Sequence, residues 1–309
     1  MKILITGGTG MVGSAFKDID TNHEIIRYGS QTYNLLHEDQ VCDMIYRNQP
    51  DAIIHLAARV GGVKGNSDFV ADFFHENITM NTNLLNVAKN YRVPKVLSLL
   101  STCVYPDQAV YPITEDQIHN GEPHASNFGY AYAKRMLEVH SRAIRKQYGL
   151  NYITAIPNNI YGPNDNFDLN CGHVIPAIIR KLWDSKQNKL LQPVFWGTGK
   201  PLREFTYSKD VAKALLLLVE NYDDPAPINV GNTGEISIFD LVSKVADALG
   251  IDQPNELWDK SKPEGQHRKP SCNSKFMKIF PSFKYTSMND GLKETVDWFK
   301  ENYPNVRGV

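Results

Sequence analysis

A tyrosine and a lysine four residues apart lie near the middle of the chain, in the run Tyr130-Ala131-Tyr132-Ala133-Lys134. In a helix this spacing puts both side chains on one face. We expect the ammonium group of Lys134, with a positive nicotinamide ring nearby, to lower the pKa of the Tyr130 phenol, which then exchanges a proton with a carbonyl or alcohol near neutral pH. Ser101, at the end of a predicted strand, would hydrogen-bond the same oxygen. Tyr132 is a competing phenol, but it lies two residues from Lys134 and therefore on another face; such pairs are also common on ordinary helix surfaces.

A glycine-rich segment close to the N-terminus has the spacing of a phosphate-binding loop: Gly7-Gly8-Thr9-Gly10-Met11-Val12-Gly13. It follows a predicted strand and opens a predicted helix. In dinucleotide-binding folds the first glycine permits a tight turn, the second lets the backbone approach a pyrophosphate, and the third lets the helix pack closely. Amide groups at the start of the helix then face the phosphates. A glycine-rich loop without a ligand is the alternative, and the strand and helix around the motif make it less favoured.

The second predicted strand indicates which dinucleotide is preferred. An acidic residue at the end of that strand usually binds the ribose hydroxyls of NAD. Here the run from residue 23 to residue 31 offers Arg27 and Ser30 and has no acid at its C-terminal end. This favours NADP over NAD, although Arg27 could equally be a solvated surface residue.

The elements around these motifs alternate between short apolar runs and longer amphipathic segments, as in βαβ units. We expect strands at residues 2–6, 24–27, 52–56, 95–101, 152–157 and 228–231. We expect helices at residues 11–18, 38–48, 68–91, 130–148, 174–183, 208–222, 238–249 and 288–302. The predicted fold is therefore α/β, with a Rossmann-type doubly wound parallel sheet and a smaller, mixed α/β lobe that binds the substrate.

The character of the chain changes after residue 163, where loops lengthen and proline and asparagine become more frequent. We expect a dinucleotide-binding domain at residues 1–163, with a returning segment at about residues 205–232. The second lobe would comprise residues 164–204 and 233–309. The two lobes would pack around a cleft.

Further segments carry a resemblance to a known family. The glycine motif with the tyrosine, lysine and serine resembles the extended short-chain dehydrogenase/reductase superfamily. The run Ser101-Thr102-Cys103-Val104-Tyr105-Pro106, with His173-Val174-Ile175-Pro176 downstream, narrows the resemblance to the GDP-L-fucose synthase family. The similarity extends nearly end to end, through these further segments: His55-Leu56-Ala57-Ala58, Val60-Gly61-Gly62, residues 157–167, Trp196-Gly197-Thr198-Gly199, Arg203-Glu204-Phe205, residues 261–265 and Arg268-Lys269.

This resemblance implies an NADPH-dependent enzyme that epimerises GDP-4-keto-6-deoxy-D-mannose at C3 and C5 and then reduces C4, giving GDP-L-fucose. Cys103 would be the base, with a pKa lowered by its position at a strand end near a cationic cofactor, and His173 would return the proton on the opposite face of the sugar. Tyr130 would supply the proton in the reduction, while Lys134 holds the ribose. Without the resemblance, Cys103 would be better interpreted as a buried core thiol.

The resemblance also implies the contacts of both ligands. For NADP(H), we expect Gly7, Gly10, Met11, Val12, Gly13, Ser30, Ala57, Ser101, Lys134, Asn159, Ile160 and His173. For the GDP-sugar, we expect Lys181, Trp196, Arg203, Glu264 and Lys269. One departure is Thr9 in the phosphate loop, where some members carry arginine, and this weakens the case that the loop itself selects NADP. A homodimer is the oligomeric state expected from the superfamily.

Two other functions remain open at this point. A related epimerase/reductase could make another 6-deoxy nucleotide sugar, such as UDP-L-rhamnose, with the same chemistry and a different base pocket. A non-enzymatic dinucleotide-binding regulator could have kept the fold, but such a protein usually loses the tyrosine or the lysine, and Tyr130 and Lys134 are both present.

Composition and charge exclude several classes of protein. The chain has 309 residues, of which 42% are hydrophobic and 22% charged, a balance typical of a folded globular protein. Lysine plus arginine number 33 against 34 acidic residues, so there is no positive field to hold nucleic acid. No apolar run approaches the roughly 20 residues that span a bilayer, so no membrane segment is expected.

The four cysteines, Cys42, Cys103, Cys171 and Cys272, are far apart and form no CxxC pair. No metal site is therefore expected. Free thiols and an N-terminus that enters a strand at once, without the pattern of a secretory signal, predict a cytoplasmic protein.

Overall fold

The computed structural model describes residues 1–188, 192–252, 256–262 and 266–309. Its strands are β1 (Lys2–Thr6), β2 (Glu24–Tyr28), β3 (Ala52–His55), β4 (Lys95–Leu99), β5 (Asn151–Ile156), β6 (Asn159–Tyr161), β7 (Val194–Trp196), β8 (Leu202–Tyr207), β9 (Ile228–Asn229), β10 (Glu235–Ser237) and β11 (Leu257–Asp259). Its helices are α1 (Met11–Ala15), α2 (Glu38–Asn48), α3 (Val63–Asp68), α4 (Val70–Asn90), α5 (Phe128–Tyr148), α6 (Val174–Gln187), α7 (Ser208–Asn221), α8 (Ile238–Leu249), α9 (Ser274–Ile279) and α10 (Met288–Asn302).

The central sheet has six parallel strands in the order β2-β1-β3-β4-β5-β9. From β1 the chain first moves outward to β2 and then crosses over to β3 on the other side. The carboxyl ends of β1 and β3 therefore border the crevice in which such folds bind ligands. The predicted doubly wound Rossmann-type sheet is confirmed.

Both faces of this sheet are covered, because successive side chains along each strand point to opposite sides. Ile3 and Ile5 of β1 join a hydrophobic cluster with α1 and α7, whereas Leu4 joins a second cluster with α2, α4 and α5. This explains why the strands are apolar along their whole length.

A third hydrophobic cluster forms the core of the smaller lobe. It brings together α6, β8, α8 and α10, with Ile179, Phe205, Leu241 and Phe299 among its buried residues. The lobe also contains the sheet β10-β8-β6 and the pair β11-β7, so it is mixed α/β as expected. We propose the two-lobe division predicted from the sequence, with two changes. Residues 274–283 return to the first lobe, because Phe276 belongs to its core. Strand β6 and the end of β8 join the smaller lobe, because Tyr161, Phe205 and Tyr207 belong to its core.

Two features differ from the sequence-based expectation. The helix expected at residues 68–91 is observed as α4, and a separate short helix, α3, was not expected before it; Phe69 between them leaves the helical region at φ −124° and ψ 42°, and no proline marks the break. Strands β6, β7, β8, β10 and β11 were not expected. All except β8 have only three residues, too few to show a periodic pattern, and their partners lie far away in sequence.

Among the described residues, no helix combines the length and the apolar character needed to cross a bilayer.

Candidate active site

Two cavities meet at the carboxyl ends of the parallel strands. The strand-end cavity, of about 790 Å³, is bordered by the ends of β1, β3, β4 and β5. The lobe cavity, of about 480 Å³, is bordered by α6, β7 and β8. Residues that line both are Val60, Ser101, Tyr130, Asn158, Asn159, Ile160 and His173. Groups bound in the two cavities can therefore meet at these side chains.

The glycine motif forms one wall of the strand-end cavity. Gly7 has a φ of +67°, and a Cβ at this position would lie 2.7 Å from the amide nitrogen of Ala57. A Cβ on Gly13 would lie 2.5 Å from the carbonyl oxygen of Gly7. Only glycine lets the loop pack directly against the end of β3 in this way. Because α1 begins at Met11, the amide groups of its first turn have no acceptor within the helix and suit phosphate oxygens.

Every residue predicted to contact the cofactor lines the strand-end cavity: Gly7, Gly10, Met11, Val12, Gly13, Ser30, Ala57, Ser101, Lys134, Asn159, Ile160 and His173. The cavity lies at the switch point of the sheet, where doubly wound folds bind dinucleotides. The residues present therefore fit a dinucleotide.

Arg27 has a different place from Ser30, the other residue considered for NADP selection. The Arg27 guanidinium donates to the carbonyl oxygens of Gly8 and Gly13, at 3.2 and 3.4 Å, and so supports the glycine loop from outside the cavity. Ser30 is exposed and lines the cavity beside Thr9. Of these two, Ser30 is the one placed to contact a ribose substituent.

Tyr130 and Lys134 share one face of α5, as predicted, with the Lys134 ammonium 5.9 Å from the centre of the Tyr130 ring. Lys134 is buried and donates to the carbonyl oxygen of Leu99 at 2.7 Å. Burial lowers the pKa of Lys134 to about 8. Burial, with a smaller contribution from Cys103, raises the pKa of Tyr130 well above its usual value. The protein's own groups therefore raise the Tyr130 pKa, whereas Lys134 was expected to help lower it, because desolvation dominates.

Cys103 lies in a single 3-10 turn that follows β4, and Ser101 caps that turn by accepting from the Cys103 amide at 3.4 Å. The Cys103 side chain is 8% exposed and lines only the lobe cavity. Burial raises the pKa of its thiol, while a hydrogen bond with Ser101 and the charges of Lys269 and Lys134 lower it. Among the protein's own groups, burial therefore outweighs the contacts that lower the pKa of Cys103, and the expected lowering by a cationic cofactor stays a prediction.

His173 stands immediately before α6 and lines both cavities. Its side chain is accessible to solvent within the cleft although protein surrounds it. Burial, followed by the positive charge of Arg307, lowers the pKa of His173. The imidazole is therefore mostly neutral at neutral pH, and its protonated form is a stronger acid than an ordinary imidazolium.

The residues predicted to hold the GDP moiety line the lobe cavity where they are described. Lys181 donates to the carbonyl oxygen of Val194 at 2.7 Å, and its ammonium lies 6.0 Å from the centre of the Trp196 ring, which is 43% exposed. Arg203 and Lys269 also line this cavity. Glu264 lies outside the described residues.

A comparison with protein-family models identifies the family. The model described as the NAD dependent epimerase/dehydratase family matches residues 3–231. The chain belongs to this family.

Individual members of the family are similar over the full length of the chain. A GDP-L-fucose synthase of Dictyostelium discoideum is 40% identical, and the match covers 99% of this chain and 97% of that one. A GDP-L-colitose synthase of Yersinia pseudotuberculosis is 35% identical, over 97% and 98% of the two chains. The crystal structure of a GDP-L-fucose synthetase from Naegleria fowleri bound to NADP has a TM-score of 0.92 and 40% identity, and covers 99% of this chain and 94% of that one. The predicted resemblance to GDP-L-fucose synthases is confirmed.

Other residues of this family member line the cavities without having been selected from the sequence. Asn158 lines both cavities, and Glu204 lines the lobe cavity from β8. Both lie inside segments that carried the resemblance, so a signal was available for them. Asp165 and Arg307 line the strand-end cavity, and burial raises the pKa of Asp165 to about 7. Nothing in the sequence connects the C-terminal Arg307 with this cavity.

Within the part of the chain that the structure describes, no group of three or more histidine, cysteine, aspartate or glutamate side chains is arranged to hold a metal ion.

Proposed function

We propose that this protein catalyses the NADPH-dependent 3,5-epimerisation and 4-reduction of GDP-4-keto-6-deoxy-D-mannose to GDP-L-fucose. One observation carries the proposal: Ser101, Tyr130 and His173 line both cavities, Lys134 lines only the strand-end cavity and Cys103 only the lobe cavity. This division matches a reaction in which a dinucleotide and a sugar meet at shared proton-transfer groups. The similarity to GDP-L-fucose synthases supports the choice of substrate.

Epimerisation needs a base and an acid on opposite faces of the sugar ring. C3 and C5 both flank the C4 ketone, so removal of either proton gives an enolate. The Cys103 thiolate takes the proton, and protonated His173 returns one to the other face. Ser101 and Tyr130 donate hydrogen bonds to the oxygen at C4, where the negative charge develops. The same pair of groups serves both carbons once the ring is repositioned.

Reduction follows at the same oxygen. Bound NADPH supplies the hydride for C4. Tyr130 gives its phenolic proton to the C4 oxygen, and its high pKa keeps it protonated and ready to donate. Lys134 holds the ribose from the strand-end cavity.

The GDP moiety would lie in the lobe cavity. Trp196 offers an exposed aromatic surface, Arg203 pairs with a diphosphate oxygen, and Lys181 supplies a less directional positive charge. Glu264 and Lys269 complete the proposed set.

In the decisive experiment, the protein is incubated with GDP-4-keto-6-deoxy-D-mannose and NADPH in deuterated buffer. NADPH oxidation is followed by absorbance at 340 nm, and the product is analysed by mass spectrometry and NMR. We expect NADPH oxidation with deuterium at C3 and C5. Cys103→Ser and His173→Gln should each abolish deuterium incorporation, whereas Cys42→Ser, a thiol on α2 away from both cavities, should behave as wild type. NADPH oxidation without deuterium incorporation would show that the protein is a 4-reductase and not an epimerase.

Related substrates are tested in the same assay. One relative carries the name GDP-L-colitose synthase, so other GDP-linked 4-keto deoxy sugars are worth including, and a UDP-linked 4-keto-6-deoxy sugar tests the rhamnose alternative. Exclusive turnover of the UDP-linked substrate would contradict the proposal. Binding of NADPH without turnover of any of these sugars would favour the alternative of a non-enzymatic dinucleotide-binding regulator.

We also propose a cytoplasmic homodimer that pairs through α4 and α5. These helices pack against each other, and Phe74, Tyr91, Met136 and Tyr148 on or beside them are exposed hydrophobic side chains. All four cysteines are free thiols, as suits a reducing compartment. Light scattering of the wild type and of Phe74→Glu tests the pairing, and a monomeric wild type would contradict it.

A further inference from the structure

A short segment, residues 266–272, connects the smaller lobe to the loop that follows Cys103. On one side it is bonded to that loop: Ile113 donates its amide to the carbonyl oxygen of Pro270 at 2.9 Å and accepts from the Cys272 amide at 2.9 Å. We call residues 266–272 the bridging segment. These paired backbone bonds fix its position relative to the Cys103 turn.

On the other side the bridging segment is held by β8. Glu204 is 3% exposed, and its carboxylate accepts from the Ser271 amide at 3.0 Å and from the Ser271 hydroxyl at 2.6 Å. The Leu202 amide donates to the carbonyl oxygen of His267 at 2.9 Å. A buried carboxylate with several hydrogen bonds is a rigid anchor, so the segment has little freedom to move.

Lys269 lies in the middle of the bridging segment, and its side chain lines the lobe cavity together with Cys103. The charged and titratable groups that act on the Cys103 thiol are Lys269, Lys134, Arg135 and Tyr130. Of these, Lys134 lines only the strand-end cavity and Tyr130 is neutral. Arg135 lines neither cavity and donates to the carbonyl oxygen of Val104 at 2.6 Å. Of the cations named as acting on the thiol, Lys269 is therefore the one that lines the lobe cavity with it.

We propose that Lys269 is a positioning residue for the epimerisation, whose ammonium group stabilises the thiolate form of Cys103. This inference rests on the proposed function and assigns Lys269 a task different from holding the diphosphate. In the step it assists, the thiolate takes a proton from C3 or C5, and the electrons of that C–H bond form the enolate. His173 then gives its proton to the same carbon from the other face. The resulting thiol and neutral imidazole are reset by proton exchange with water, so protons balance over the cycle.

The charge of Lys269 matters because the Cys103 thiol is buried. Burial raises the pKa of Cys103, and after the Ser101 hydrogen bond the largest opposing contribution comes from Lys269. Replacing Lys269 by an uncharged residue removes that contribution and leaves desolvation in place. The thiol should then ionise at higher pH, while the cavity and the cofactor contacts remain.

The test measures the ionisation of Cys103 directly, without substrate. The full-length protein is alkylated with iodoacetamide across a range of pH, and the rate at Cys103 is followed by mass spectrometry of its peptide. For Lys269→Met we expect the midpoint of the pH–rate curve to rise by about 0.5–1 pH unit, which slows alkylation about three- to tenfold below the midpoint. Lys269→Arg keeps the charge and should stay close to wild type.

Lys181→Met is the matched control, because Lys181 lines the same cavity and is not among the groups named as shifting the pKa of Cys103. It should leave the alkylation midpoint unchanged. An unchanged midpoint in Lys269→Met would overturn the proposal and return Lys269 to a contact of the diphosphate. If Lys269→Met does not fold, Lys269→Gln against Lys269→Arg makes the same comparison. Failure of the proposed function is distinguishable, since it would show as no deuterium incorporation by the wild type whatever the alkylation midpoint.

Discussion

At the scale of single residues, burial shifts the pKa values of the two proposed proton-transfer groups, Cys103 and His173, away from the ionisation states that epimerisation would need. The pKa of Cys103 is raised and that of His173 is lowered, in both cases mainly by desolvation. The form that can epimerise, with a thiolate and an imidazolium, is therefore a minority of the protein at neutral pH. Neighbouring charges such as Lys269 acquire importance because they act on this small population.

The pH dependence of epimerisation follows from these directions. Deuterium exchange at C3 should show a bell-shaped profile of kcat/KM, because the active form needs Cys103 deprotonated and His173 protonated. The acidic limb should lie below the ordinary histidine pKa and the basic limb above the ordinary cysteine pKa. Exchange rates measured over a range from mildly acidic to alkaline pH test this. A narrow optimum with both limbs close to neutral pH would contradict these ionisation states.

Variants of two neighbouring tyrosines, Tyr130 and Tyr132, distinguish reduction from epimerisation. Tyr130→Phe should abolish NADPH oxidation, by a factor of about 10² or more, because the C4 oxygen loses its proton donor. Solvent deuterium exchange should persist at a reduced rate, since Cys103 and His173 are intact but the enolate oxygen keeps only the hydrogen bond from Ser101. The matched control is Tyr132→Phe, whose phenol lies near Arg135 rather than in either cavity. Equal loss in both variants would mean that α5 itself was disturbed.

At the scale of elements, the site depends on how closely β1, its loop and α1 approach the end of β3. Gly7 makes this approach through its positive φ and its lack of a Cβ. Arg27 of β2 then holds the loop from behind by donating to two of its carbonyl oxygens. The cavity wall that we propose to bind phosphate is therefore built by three adjacent strands, although the glycine motif that indicates it is local.

Two glycines with similar backbone conformations test this close approach. Gly149 ends α5 with a φ of +70°, and a Cβ there would have open space around it, whereas a Cβ on Gly7 would meet the backbone of Ala57. Gly149→Ala should lose only about 1–2 kcal/mol of stability from its left-handed conformation. Gly7→Ala should in addition weaken NADPH binding about tenfold or more. Fluorescence titration with NADPH and thermal melts measure both effects, and equal NADPH affinity in the two variants would contradict the assignment of the loop.

At the scale of the whole molecule, distant parts of the chain are joined by buried polar groups. His55 of β3 is fully buried and bonds to the Thr6 hydroxyl of β1 at 2.8 Å and to the Asn81 side chain of α4 at 3.0 Å. At the C-terminus, Phe167 donates its amide to the carbonyl oxygen of Arg307 at 2.8 Å, which brings Arg307 to the strand-end cavity. Such contacts bring residues that are far apart in the sequence to the same cavity.

The burial of His55 gives the folded protein a specific sensitivity to acid. Its pKa is lowered to about 3, chiefly by desolvation and then by Lys134, from 6.5 for the free side chain. The unfolded chain therefore binds a proton between these values and the folded chain does not. Stability from this residue is complete above the unfolded pKa and is lost as pH falls below it, by up to about 1.4 kcal/mol per pH unit.

Unfolding experiments at several pH values test this with His55→Gln as the comparison. Glutamine keeps a polar side chain and cannot be protonated, so the stability difference between wild type and variant should shrink as pH falls from neutral toward the folded-state pKa. A difference that stays constant over this range would show that His55 does not carry the effect.

Local spacing was enough to predict most of the elements. Helices α2, α8 and α10 have the bounds expected from their apolar periodicity, and the parallel strands lie within two residues of expectation. The short strands of the smaller lobe could not be predicted in this way. β10 pairs with β8 and β11 with β7, so each forms only when tertiary contacts bring its partner alongside.

What the sequence by itself determined is the family and a set of candidate groups: the glycine loop, the Tyr130–Lys134 pair, and the cysteine and histidine that the family resemblance singled out. Only the tertiary structure decided how these groups ionise and which residues surround them. Because desolvation depends on atoms from the whole fold, burial raises the pKa values of Cys103 and Tyr130, although Lys134 was expected to help lower that of Tyr130. The bridging segment reaches the cavity through contacts such as Gln266 with Asp107, 159 residues apart, and no local pattern encodes a contact over that distance.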